Sequence, residues 1–193
     1  MKKTRSISRL CLNEKIMSFG HLVKPPILDV GTGRKTTIYP FGYKFPDYVT
    51  FDLCEANEPD IVGDAASMSL EDGRFNCVLC NQLLEHVPEP GKVVNEIYRV
   101  LKDDGACILS VPFMYRIHPD PKDYWRFTPD SLRLLFKDFR SVEVRPYGGK
   151  MSSIWSNLAL GRLRFLQRLN GVIKSLDSPS DEFALGYVVY AKK

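Results

Sequence analysis

Several short apolar runs in this chain each end in a side chain able to hold a ligand. Ile27-Leu28-Asp29-Val30-Gly31-Thr32-Gly33 carries a carboxylate and then two glycines one residue apart. Val49-Thr50-Phe51-Asp52 ends in a second carboxylate with Leu53 beside it. Ile61-Val62-Gly63-Asp64-Ala65 carries a third, and Phe75–Asn81 ends in an amide followed by Gln82. Glycine lets a backbone turn sharply and approach a ligand closely. A carboxylate at such a turn repels a pyrophosphate and suits a cationic ligand. Asp52 can accept hydrogen bonds from both hydroxyls of a ribose, and Asp64-Ala65 is placed to face an adenine ring. Further on, residues 111–128 concentrate His118, Asp123, Arg126, Tyr115, Tyr124 and Trp125 in one stretch. His118 has the ordinary pKa of a general base near neutral pH, and Asp123 either orients it or replaces it. Tyr115, Tyr124, Trp125 and Arg126 are expected to wall a substrate, with Arg126 binding an anionic group. The competing reading has Tyr124, Trp125 and Phe127 lock the loop on the sheet while Arg126 pairs with an acid.

Those residues need a scaffold that brings strand ends together. The chain has 193 residues, 44% hydrophobic and 26% charged, within the ordinary globular range and long enough for one domain over 1–193 with its own core. Pro25-Pro26 punctuates the start of the first strand. A helix is expected around Leu10–Phe19. Another, over Pro90–Lys102, carries the stripe Val93, Val94, Ile97, Val100 and Leu101 and ends at Asp103-Asp104-Gly105. Thr128-Pro129-Asp130 opens a third helix, with a Thr cap and Pro in the first turn. Ala106–Val111 reads as a strand, and Ser141–Arg145 and Phe183–Ala191 as the last two. Alternating strands and helices predict an α/β, Rossmann-like, doubly wound and mostly parallel sheet of seven strands, with the last strand antiparallel. Strand ends of such a sheet line one ligand crevice. The run between Gly33 and Tyr48, with Pro40, Gly42 and Pro46, makes a poor crossover helix.

This constellation resembles the class I S-adenosylmethionine-dependent methyltransferases over roughly residues 25–145 plus the last strand. The resemblance implies that Asp29, Gly31 and Gly33 form the cofactor turn, Asp52 and Leu53 the ribose side, Asp64 and Ala65 the adenine side, and Asn81, Gln82 and His86 the motif after the fourth strand. That motif, Asn81-Gln82-Leu83-Leu84-Glu85-His86-Val87, is similar to the small-molecule branch of the family. His86 is then a pocket-shaping residue, or simply a packed one. The 111–128 loop resembles methyltransferases of surface-polysaccharide and glycolipid synthesis, which implies a hydroxyl or amine of a sugar or lipid-linked sugar as acceptor. Lys35 stands where the family often has a glycine, which leaves a catalytically inactive cofactor-binding module as an alternative. A nicotinamide enzyme is disfavoured because Thr36 occupies the third glycine position of the dinucleotide fingerprint.

A net charge of +4 permits an anionic ligand without requiring nucleic acid. Five cysteines, an odd number, do not make a complete disulfide framework, and Cys77 and Cys80, three apart on a buried strand, face opposite sides, so no metal site is expected. The basic N-terminus lacks an apolar core, so neither a signal peptide nor a membrane span is expected and the reading is cytoplasmic. An insertion at about 148–182 carries Trp155, Leu158, Leu166, Leu169, Ile173 and Leu176 on one presumed helical stripe, and no acid from Gly148 through Leu176. Peripheral membrane contact through 152–176, a lid and a homodimer contact are the three readings of that segment.

Overall fold

The computed structural model describes residues 6–32, 45–118, 122–158 and 166–193. Gly33, Lys35, Thr36 and the proline-rich run after them lie outside the described residues, as do Arg162 and Arg164. Seven strands form one sheet: β1 Ile27–Val30, β2 Tyr48–Asp52, β3 Ile61–Val62, β4 Phe75–Asn81, β5 Leu101–Pro112, β6 Ser141–Tyr147 and β7 Gly186–Lys192, in the order β3-β2-β1-β4-β5-β7-β6. The first five run parallel, and β7 pairs antiparallel with both β5 and β6. The expected mixed sheet is therefore present, with β7 reversed between two neighbours.

Alternation along β4 sorts the core into two layers. Val78 and Cys80 join α2 (Pro90–Val100) and α3 (Pro129–Leu135) on one face; Cys77 and Leu79 join α1 (Ile7–Ser18) on the other. The two thiols of the Cys-x-x-Cys thus point apart, both buried, and burial pushes Cys77 up to about 12. The helix at Pro90 forms because Val93, Val94, Ile97 and Val100 make a continuous buried face. It stops two residues before the expected end at Lys102. Leu101 pairs with Phe75 as the start of β5, and Asp103-Asp104-Gly105 lies within that strand, with Asp104 at φ 63° where the register shifts. Thr128 caps α3 as expected, its hydroxyl accepting from Ser131 N at 3.2 Å.

The insertion corrects the expectation of a single stripe. It forms α4 (Lys150–Asn157) and α5 (Asn170–Ser175), turned differently about their axes. Trp155 and Ile173 pack inward against the layer of α1, whereas Leu158, Leu169 and Leu176 face outward. Trp155 Nε1 donates to Asn170 Oδ1 at 2.8 Å and ties the helices together. Asp177 closes the unit by accepting from the backbone N–H groups of Gly149, Met151 and Ser152 at the start of α4. The outward faces are apolar at i, i+3, i+7 spacing in each helix: Met151, Ile154 and Leu158, then Leu169, Val172 and Leu176. Their buried counterparts include Ser152, Ser153 and Asn170.

Candidate functional site

The parallel strands bring the expected ligand-holding residues to one carboxyl edge. Asp29 is 1% exposed. Tyr48 donates its hydroxyl to Asp29 Oδ2 at 2.5 Å, while Oδ1 has no hydrogen-bond partner among the described residues. Burial raises Asp29 to about 7, opposed by the Tyr48 bond and reinforced by the nearby Asp52 charge. Gly31 sits at φ 71°, and a Cβ there would come within 2.9 Å of the Leu83 side chain, so the turn needs glycine for both reasons. Asp52 is buried at the end of β2. Its Oδ1 accepts from Cys54 N at 2.8 Å and from Asn57 Nδ2 at 3.1 Å, which fixes the carboxylate's orientation. Leu53 is 73% exposed beside it. Asp64 is exposed and accepts from Ala66 N at 2.8 Å, presenting the buried Ala65 at the turn after β3.

Across β4 and β5, Ser110 donates to Asn81 Oδ1 at 2.9 Å and receives Gln82 Nε2 at 3.3 Å. Gln82 adopts φ 54°, a left-handed conformation that turns the chain out of the sheet. The 3-10 turn Leu84–His86 follows at once and meets the loop after β5. Tyr124 N donates to Glu85 O at 2.7 Å, Trp125 Nε1 donates to Val87 O at 2.9 Å, and His86 Nδ1 lies 2.9 Å from Lys122 O. The His86 and His118 rings meet edge to face at 5.0 Å, and Tyr115 meets His118 in the same way at 5.5 Å.

His118 and Asp123 are brought together as the sequence suggests, and the geometry gives each a role. Asp123 Oδ2 lies 3.1 Å from His118 Nδ1 and accepts from His118 N at 3.0 Å. Arg126 grips both oxygens of Asp123, at 2.5 and 2.7 Å, and holds that carboxyl down at about 2. Asp123 is thus held between Arg126 and the His118 imidazole. Burial lowers His118 below its ordinary value, against the opposing pull of Asp123. Arg126 departs from the expected anion contact: its remaining donors go to the carbonyls of Tyr115, Arg116 and Trp125, so the guanidinium is spent on holding the loop. Tyr124 and Trp125 combine both expectations, bonded to the turn after β4 yet 45% and 43% exposed. Sequence reasoning missed Tyr48, Ser110 and Glu85. Tyr48 is found only through the β1–β2 register that pairs it with Ile27.

The Asp29 environment has a measurable consequence. A carboxyl titrating near 7 when folded and near 3.9 when unfolded favours folding of the protonated form. Its contribution is fully present below about pH 4 and is lost as pH rises through about 7. Tyr48, Asp52 and the buried thiols Cys77 and Cys80 are the titratable groups that interact with it. Ligand-free wild type is therefore expected to lose thermal stability from pH 5.5 to 8 by more than Asp29→Asn does. Parallel melting profiles of the two proteins would refute it.

Comparison with known proteins agrees with this edge. The family described as Methyltransferase domain matches residues 5–163. A ubiquinone biosynthesis O-methyltransferase of Psychrobacter cryohalolentis is 38% identical over 115 residues, 51% of this chain and 43% of that protein, so the chain spans less than half the length of that relative. Among solved structures, a SAM-dependent methyltransferase from Archaeoglobus fulgidus superposes with a TM-score of 0.67 at 18% identity, covering 96% of this chain and 94% of the other. Phosphoethanolamine N-methyltransferase 2 of Haemonchus contortus, solved with S-adenosyl-L-methionine, gives 0.64 at 17% identity over 94% of this chain and 52% of its own. The strand order, the acids at the ends of β1 and β2, and a family match over most of the chain lead to one conclusion: this chain belongs to the methyltransferase-domain family, of the class I S-adenosylmethionine-dependent kind.

Proposed function

We propose that the protein transfers the methyl group of S-adenosylmethionine to a hydroxyl or amine of a small molecule, a sugar or lipid-linked sugar. The observation that carries this reading is the pairing, on one sheet edge, of the Asp29–Asp52 carboxylates with the His118–Asp123 pair. The cofactor suits the donor set: its cationic amine would meet Asp29, whose Oδ1 is buried without a partner, and its ribose hydroxyls would meet Asp52. When bound, it supplies a methyl carbon on a positively charged sulfur. An acceptor lone pair aimed at that carbon would take it over as the carbon–sulfur pair returned to sulfur, leaving a neutral thioether. His118 takes the acceptor's proton on Nε2, because Nδ1 faces two acceptors, Asp123 Oδ2 and Arg116 O at 3.3 Å. Tyr115, Tyr124 and Trp125 offer aromatic surface to a sugar ring. Stabilisation by S-adenosylhomocysteine but not by NAD, followed by methylation of a member of a sugar and glycolipid panel, is the expected result. Stabilisation by NAD alone would defeat the reading, and cofactor binding without turnover on any acceptor would return the inactive-module alternative.

A lipid-linked acceptor needs access to a membrane surface. No helix among the described residues is long and apolar enough to cross one. The outward apolar faces of α4 and α5, with Arg168 exposed beside them and no acid between Gly148 and Leu176, suit peripheral contact with anionic lipid. The protein should sediment with anionic vesicles and not neutral ones, the more weakly the higher the salt. Concentration-dependent dimerisation without vesicle binding would reassign this face to a second copy of the chain.

A further inference from the structure

We infer that Glu85, His86 and His118 form a binding site for a first-row divalent cation such as Zn2+. Sequence alone assigns no metal site, because these ligands come from two segments about 30 residues apart that meet only when the loop after β5 folds onto the turn after β4. One ligand atom from each of the three lies within 4.8 Å of the others. A cation held at about 2.0–2.2 Å from each would separate them by roughly 3–4 Å, so the site closes with a modest inward shift.

Three features set this cluster apart from a chance gathering. First, Glu85 is completely buried, and neither of its carboxylate oxygens has a hydrogen-bond partner among the described residues. Burial keeps such a carboxyl protonated until a positive group meets it. His86 Nε2 lies 3.8 Å from Oε1. Second, both imidazoles are oriented with Nδ1 occupied. His86 Nδ1 faces the Lys122 carbonyl at 2.9 Å, and a carbonyl only accepts, so Nδ1 carries the proton and Nε2 the lone pair. His118 Nδ1 faces Asp123 Oδ2 and the Arg116 carbonyl, which fixes the same tautomer. Third, a carbonyl behind one imidazole and an Arg-held carboxylate behind the other are the supports that metal-binding histidines use to set ring orientation and ligand basicity. Two imidazoles and one carboxylate suit Zn2+, Fe2+, Mn2+, Co2+ or Ni2+ and leave positions open for an incoming oxygen.

The consequence for turnover rests on the methyl-transfer reading; the binding itself does not. A cation on His118 Nε2 would occupy the lone pair with which that ring takes the acceptor's proton, and would replace that role by making a bound hydroxyl more acidic.

The test titrates zinc sulfate, and separately manganese chloride, into full-length protein stripped with chelator. It uses a Cys54→Ser background, because Cys54 is the exposed thiol and would compete for zinc. One equivalent should bind, and Glu85→Gln and His118→Ala should each weaken binding at least 10-fold. Thermal melting is measured on every variant to show that the fold is kept, S-adenosylhomocysteine affinity is measured beside it, and His86→Asn serves as a third variant should Glu85→Gln fail to fold. No stoichiometric binding of either metal, or binding that all the folded variants leave unchanged, overturns the inference. S-adenosylhomocysteine binding without cation binding overturns this site and leaves the methyl-transfer reading standing. Cation binding without S-adenosylhomocysteine binding does the reverse.

Discussion

His118→Ala is expected to lower turnover by about 100-fold or more while leaving S-adenosylhomocysteine affinity unchanged. The split between the two measurements follows from geometry. The cofactor-side residues are on β1 to β4 and the turns after them, whereas His118 is in the loop after β5. Removing the imidazole leaves the Asp123–Arg126 pair in place, and Arg126 still reaches the carbonyls of Tyr115, Arg116 and Trp125, so the loop keeps its anchor. What disappears is the lone pair on Nε2. Asp123 is a poor substitute, because a carboxyl held near 2 binds protons weakly at neutral pH. The measurement is steady-state turnover on an identified acceptor alongside calorimetry with S-adenosylhomocysteine. Near-normal turnover in the variant would remove His118 from the chemistry.

Asp52→Ala should weaken S-adenosylhomocysteine binding by about 1.5–3 kcal/mol, or about 10- to 150-fold, the scale of charge-assisted hydrogen bonds to two hydroxyls. Part of such a loss can arise indirectly, because Asp52 Oδ1 also fastens Cys54 N and Asn57 Nδ2. Asn57→Ala separates the two contributions: it removes one local bond and keeps the carboxylate. A large loss in Asp52→Ala with a small one in Asn57→Ala assigns the effect to the ligand. Unchanged affinity in Asp52→Ala would end the ribose assignment.

The sheet was legible because its signals are local. The buried run of β4, the buried stripe of α2 and the glycine turn after β1 each follow from neighbouring residues. The antiparallel β7 could be read from the two closing strands and the insertion between them. The polar partners were not legible. Tyr48 reaches Asp29 across strands 19 positions apart, and Glu85 looks like an ordinary helix-start acid until burial leaves it without a partner. The insertion departs from the sequence reading for another reason: Trp155 to Leu176 read as one helical stripe, with Gly161 and Gly171 allowing a bend or hairpin, whereas α4 and α5 are separate and present different faces. Arg126 carried two readings, an anion contact and a pair with an acid; the hydrogen bonds to three carbonyls and the Asp123 carboxylate show where its donors go.

The loop after β5 is stitched to the turn after β4 at Lys122, Tyr124 and Trp125, and that turn begins at Gln82, beside the cofactor edge. One short stretch of backbone therefore joins the proposed cofactor edge to the proposed acceptor loop, and a conformation of it that both ligands favour would share the free energy of filling either. Thermodynamic reciprocity then applies: the factor by which bound cofactor tightens the acceptor equals the factor by which bound acceptor tightens the cofactor. An ordered arrival of the two ligands needs no moving domain in such an architecture, only a turn whose conformation both of them favour.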